Sequence, residues 1–147
     1  MNLIDWDHPQ PHVWHMTVGH EAIDVMGHAN NVEYLRWLEH VAWDHSNHLG
    51  LDWAAYRQLD RAMVARRTEL EYLAPAFEGD ALAIGTWIVA NDGRVSITRH
   101  YQVARPADGR TLLRGSTQWV CVAVSSGKLQ RMPPEFVQGY RVTAPLP

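Results

Sequence analysis

Cysteine is nearly absent: Cys121 stands alone. A single thiol can form neither an internal disulfide nor a cysteine-based zinc site, and a reducing compartment suits it. Long apolar runs are missing as well, and no uncharged stretch approaches the roughly 20 residues of a membrane span. The first residues, Met1-Asn2-Leu3-Ile4-Asp5-Trp6-Asp7-His8-Pro9, hold acid where a secretory leader holds base, and they lack its apolar segment. The expected compartment is the cytoplasm. Positive charge is not in excess: 13 Lys and Arg against 16 Asp and Glu give a net charge of -3. A duplex binder needs a basic surface that neutralises phosphates, so no nucleic-acid partner is expected. There is no repeat, no low-complexity segment and no glycine-rich phosphate loop. Ser116 lies in Arg-Gly-Ser-Thr-Gln rather than Gly-x-Ser-x-Gly, so the nucleophile elbow of serine hydrolases is missing.

What is present fits one domain. The 147 residues, 46% apolar and 20% charged, are in the globular range and are expected to form a single domain over 1–147 with an N-terminal arm, 1–11. Residues 9–11 are the one loose stretch expected. Residues 12–19 alternate weakly and predict a strand, followed by a loop over 21–29. Asn30 is a good N-cap, with Glu33 three residues on in a capping-box position. Leu35, Leu38, Val41, Ala42, His45 and Leu49 then recur at helical spacing, with Glu33, Arg36, His40, Asp44 and Asn47 opposite. Gly50 is a natural stop, and Asp52 can cap a short helix over 53–59. The period then changes to two, predicting strands over 62–73, 81–90, 95–104 and 111–124, joined by turns at Asn91-Asp92-Gly93, Ala107-Asp108-Gly109 and Ser125-Ser126-Gly127. Pro133-Pro134-Glu135 can open a final short helix. This order predicts an α+β fold in which a curved antiparallel sheet of about five strands wraps one long helix. Seven tryptophans suit a core of large residues.

The chemistry concentrates in Asp24-Val25-Met26-Gly27-His28-Ala29-Asn30-Asn31-Val32-Glu33-Tyr34-Leu35-Arg36-Trp37. A carboxylate and an imidazole stand just ahead of a helix whose first N–H groups lack intrahelical partners and bear partial positive charge. Such a site can stabilise a developing oxyanion. A thiolate leaves easily because a thiol's pKa is about 8.5, so a thioester needs no strong general acid. A carboxylate there can attack as nucleophile or deprotonate water, and the residues leave both routes open.

Asp-x-x-Gly-His-x-Asn-Asn-x-x-Tyr-x-x-Trp resembles the signature of hotdog-fold acyl-CoA thioesterases of the 4-hydroxybenzoyl-CoA thioesterase branch. Tyr72-Leu73-Ala74-Pro75-Ala76-Phe77-Glu78-Gly79-Asp80 resembles a second segment of that family, Tyr-x-x-Pro-x-x-x-Gly-Asp. The resemblance implies hydrolysis of an acyl-CoA or acyl carrier protein thioester by a homodimer or homotetramer whose sheets pair edge to edge, with sites between subunits. It implies Asp24 as the catalytic carboxylate, a backbone N–H near Asn31 as oxyanion donor, and His28 beside them. Tyr34, Gly27 and Asn30 would contact substrate. No metal and no cofactor beyond coenzyme A itself is implied, and no membrane partner.

Other constellations weigh less. His40, Asp44 and His48 approach one another along the helix, but on a face expected to be solvated. His8, His12, His15 and His20 are expected at the surface, and His45 and Cys121 in the core. A sister branch carries its carboxylate within the long helix, where Glu33, Glu39 or Asp44 could serve. Arg66, Arg67, Arg94, Arg99 and Arg114 could meet coenzyme A phosphates or lie on solvated strand faces. The rival functions are a hotdog dehydratase acting on hydroxyacyl thioesters and a non-catalytic acyl-CoA-binding module.

Overall fold

A computed structural model describes residues 4–147; the first three residues of the N-terminal arm lie outside them. The elements in chain order are β1 (His12–Thr17), a single 3-10 turn (His20–Ala22), α1 (Asn31–His48), α2 (Trp53–Leu59), β2 (Ala62–Tyr72), β3 (Ala81–Asn91), β4 (Ser96–Arg105), β5 (Arg110–Val122) and α3 (Pro134–Gly139). The five strands form one antiparallel sheet in the order β1-β3-β4-β5-β2, which leaves β1 and β2 as its edges. The sheet wraps α1, the hotdog arrangement that the residue pattern implies.

The inner face of the sheet meets α1 through Leu82, Ile84, Tyr101, Val103, Leu112 and Leu113, packed on Tyr34, Trp37, Leu38, Val41 and Ala42. A second core joins α2 and α3 to the far end of the sheet through Tyr56, Ile88, Ile97, Cys121, Phe136 and Tyr140. Burying these large side chains supplies the main driving force, at roughly 25 cal/mol per Å² of apolar surface.

The helix face differs from the expected one. Leu35 and Leu49 are exposed, whereas Tyr34 and Trp37 are buried. Leu38, Val41 and Ala42 are buried as expected, and because apolar residues occupy much of the girth of α1, the stripe differs only at its ends. The capping box is also not formed. Asn30 caps as expected, its side chain accepting the Val32 N–H at 3.1 Å. Its own N–H donates to Ala22 O, and Glu33 turns to Arg36 instead, at 3.3 Å.

The stretch expected to be loose is laid across the outer face of the sheet. Trp6 packs edge-on to Trp87, whose indole N–H donates to Pro9 O at 3.0 Å. Asp7 accepts two hydrogen bonds from the Arg114 guanidinium at 2.8 and 2.9 Å. Gly85 makes room for the Trp6 ring: a Cβ there would stand 2.7 Å from it. With α1 on one side and the arm on the other, β3 is buried along nearly its whole length.

Two expected surface histidines are packed. His12 sits 2.7 Å from Asp44 Oδ2 and stacks on His45, and His8 packs on Trp87. Asp44 therefore pairs with β1 while its side chain stays 44% exposed. His40 stacks on Trp14. His15 and His20 are exposed and Cys121 is buried, as expected.

Candidate active site

The two motif segments meet at the start of α1. Ala29 N–H donates to Ala76 O at 2.8 Å, and Ala76 N–H donates to the Tyr34 hydroxyl at 3.0 Å. Tyr34 is only 2% exposed, and burial raises the pKa of its phenol. Tyr72, at the end of β2, donates its hydroxyl to Asn31 O at 3.1 Å and stands edge-on to Tyr34. Between the segments lies a cleft of about 290 Å³, walled by His28, Asn31, Tyr34, Tyr72 and Pro75 among others.

Asp24 lies in the tight loop closed by pairing between Ile23 and Ala29. Its N–H donates to His28 O, and the N–H of Gly27, at φ +82°, donates back to Asp24 O. The loop thus depends on a backbone conformation that glycine adopts freely. The Asp24 carboxylate accepts the Met26 N–H through Oδ1 at 2.8 Å, and His28 Nδ1 stands 4.0 Å from the same oxygen. Among the described residues Oδ2 has no hydrogen-bond partner. The side chain is 24% exposed and is not part of the cleft wall.

The first turn of α1 distributes its N–H groups unequally. Val32 N–H is taken by the Asn30 side chain and Glu33 N–H by Asn30 O. Asn31 N–H has no partner among the described residues, and Asn31 lines the cleft. Of the six expected site residues, His28, Asn31 and Tyr34 meet on the cleft wall. Asp24, Gly27 and Asn30 frame the loop and cap beside it.

The loop tip is apolar and bare. Val25 is 103% exposed and Met26 73%, and the exposed Tyr72 and Leu73 line the cleft.

The alternative carboxylates have other surroundings. Glu33 pairs with Arg36 and Asp44 with His12. Glu39 is exposed and borders a second cavity, of about 250 Å³, between α1 and the β2 side of the sheet. Arg99 departs most from expectation: it is 2% exposed, not solvated. Ile97, Arg99, Tyr101 and Val103 alternate onto the core face of β4, a signal present in the sequence. Arg67 pairs with Glu69 at 2.6 Å, and Arg66 and Arg94 are exposed.

Comparison with known proteins follows the same line. The family model described as the thioesterase-like superfamily matches residues 18–139. A 1,4-dihydroxy-2-naphthoyl-CoA thioesterase from Synechocystis is similar in structure, with TM-score 0.80, 17% identity, and 89% of this chain and 96% of that one covered. A DHNA-CoA thioesterase from Staphylococcus aureus has TM-score 0.80 at 18% identity, covering 88% of each chain. The protein SAV2348 from Staphylococcus aureus, solved in complex with CoA, has TM-score 0.82 at 16% identity, covering 92% of this chain and 84% of that one. At these identities the likeness establishes the fold. No curated protein matches the chain.

Proposed function

The chain belongs to the thioesterase-like superfamily, and from that premise we propose that it hydrolyses acyl-CoA thioesters at the start of α1, with Asp24 as the working carboxylate. The observation that carries this reading is the Asn31 N–H at the helix start, without a partner among the described residues, on a residue that lines the same cleft as His28 beside the Asp24 loop. The thioester carbonyl oxygen accepts from Asn31 N–H, where the helix start favours negative charge. Asp24 Oδ2 then takes a proton from water as the water oxygen bonds to the acyl carbon. Alternatively, Oδ2 attacks that carbon itself, and water opens the resulting anhydride. In both routes the C–S bond breaks, the thiolate leaves and is protonated, and the free acid is released. His28, next to the carboxylate, orients water or the carbonyl. Tyr34 shapes the cleft wall, while Gly27 and Asn30 hold the backbone against the substrate.

The chemistry requires no metal and no redox cofactor. The bare Val25 and Met26, together with the unpaired edge of β2, support a homodimer or homotetramer with sites at the subunit contact. Among the described residues no helix is long and apolar enough to cross a membrane, and the composition favours a cytoplasmic enzyme.

The test is a panel of short, long, branched and aromatic acyl-CoA substrates, read by free thiol and by product mass. At least one should yield free acid and coenzyme A in a protein of two or four times the chain mass by light scattering. With a 3-hydroxyacyl-CoA added to the panel, loss of water to an enoyl product would support a dehydratase instead, and binding without turnover a carrier or sensor.

A further inference from the structure

The buried Arg99 lacks the partner that such a group ordinarily needs. Its guanidinium donates from Nη1 to His45 Nδ1 at 2.8 Å and to Thr86 Oγ1 at 3.2 Å, both neutral acceptors. His45 cannot offset the charge, because burial first and Arg99 second hold its imidazole at a pKa of about 3. Besides His45, the ionisable groups that act on Arg99 include Tyr101, Tyr140 and Tyr56, and no carboxylate pairs with it among the described residues. Among the described residues, the buried Arg99 Nε has no hydrogen-bond partner, and neither does the buried indole Nε1 of Trp119 on the adjacent strand. Burial of an unpaired cation is costly, and each orphaned donor adds to the cost. Guanidinium does not escape by losing its proton.

Both orphaned residues line the same 250 Å³ cavity, with Ala42 and Trp43 of α1 and Tyr56 of α2 on its other walls. A buried guanidinium on the wall of this cavity, with no carboxylate paired to it among the described residues, makes the cavity favourable to an anionic oxygen. The exposed Glu39 borders the cavity in water, where its charge is screened. Met63, Val64 and Ala65 of β2 complete the wall. A two-fold pairing of β2 with its copy would reverse the strand, so the start of β2, at this cavity, would lie beside the copy's Tyr72, at the candidate cleft.

We propose that this cavity receives the far end of the acyl group and that Arg99 selects acyl chains ending in a carboxylate, the ω-carboxyacyl thioesters. The proposal rests on the thioesterase reading for its substrate, and names the class of that substrate. Arg99 is a specificity residue, remote from the reacting carbonyl.

Two measurements test it. Free-thiol release is compared for succinyl-, glutaryl- and adipyl-CoA against butyryl-, pentanoyl- and hexanoyl-CoA, in wild type and Arg99→Met. A charge-assisted hydrogen bond predicts that the best carboxylated substrate exceeds its neutral counterpart in kcat/KM by on the order of tenfold to a hundredfold. Arg99→Met should bring that ratio to about one, and should melt no lower than wild type, since it removes an uncompensated buried charge. A preference for the neutral chains, or a ratio unchanged in Arg99→Met, overturns the proposal. Independently of turnover, succinate, glutarate and adipate are titrated into the wild-type protein while the Trp119 indole N–H is followed by NMR, its signal assigned by its loss in Trp119→Phe. A saturable shift with at least one diacid is expected, and none with any of the three overturns the assignment. If the indole responds but no thioester is cleaved, the thioesterase reading fails while the anion site stands.

Discussion

Tyr34 joins the two motif segments through one hydrogen bond, because its hydroxyl is the only acceptor that the buried Ala76 N–H finds among the described residues. Tyr34→Phe leaves that donor orphaned in a dry contact, which costs about 1–3 kcal/mol. A urea denaturation midpoint lowered accordingly is the expected outcome, and an unchanged midpoint would mean that the 72–80 segment is held by other contacts. The roles of single residues were legible in the sequence where they depend on near neighbours. Asn30 and Asp52 cap the helices they precede, the latter by accepting the Ala55 N–H. Roles that depend on distant chain were not. Asp44 and Glu33 both stood on a helix face judged polar, but Asp44 finds His12, 32 residues away in sequence, while Glu33 finds only Arg36. Arg99 was judged by its charge, although alternation with Ile97, Tyr101 and Val103 puts it inside.

At the scale of elements, the start of α1 is where stability and proposed chemistry coincide. The Asn30 side chain occupies Val32 N–H, and its backbone is fixed by donation to Ala22 O, so among the described residues Asn31 N–H is the donor left without a partner. Asn30→Ala removes the cap at a cost of about 1 kcal/mol. It should also lower thiol release, because the freed first turn no longer holds Asn31 N–H in one orientation. A thermal melt alongside turnover checks both, and full turnover at reduced stability would separate the cap from the chemistry. Strand order illustrates the limit of local reading. Short turns dictated the β3–β4 and β4–β5 pairings, but β1 on β3 and β2 on β5 are contacts between segments far apart in sequence, which turn residues do not encode.

Taken whole, the molecule closes both faces of its sheet, with α1 inside and the N-terminal arm outside. Packing of α1 on the inner face buries Arg99 and half-buries His45. His45 has a folded pKa of about 3, below the ordinary 6.5, so on acidification the unfolded chain takes up a proton before the folded one. Stability from this group is fully present above about pH 6.5 and is lost as pH falls toward about 3, by up to a few kcal/mol. Urea midpoints between pH 4 and 8 should fall on the acid side, and the fall should shrink in His45→Gln. An acid slope equal in the variant would assign the effect to other groups. The central claim, that one carboxylate beside the free amide of a helix start cleaves a sulfur ester, is tested most directly by free-thiol release from an acyl-CoA substrate in wild type and Asp24→Asn. The expected result is a drop of about 10²–10⁴-fold with melting temperature and particle mass unchanged; full turnover by Asp24→Asn would contradict it.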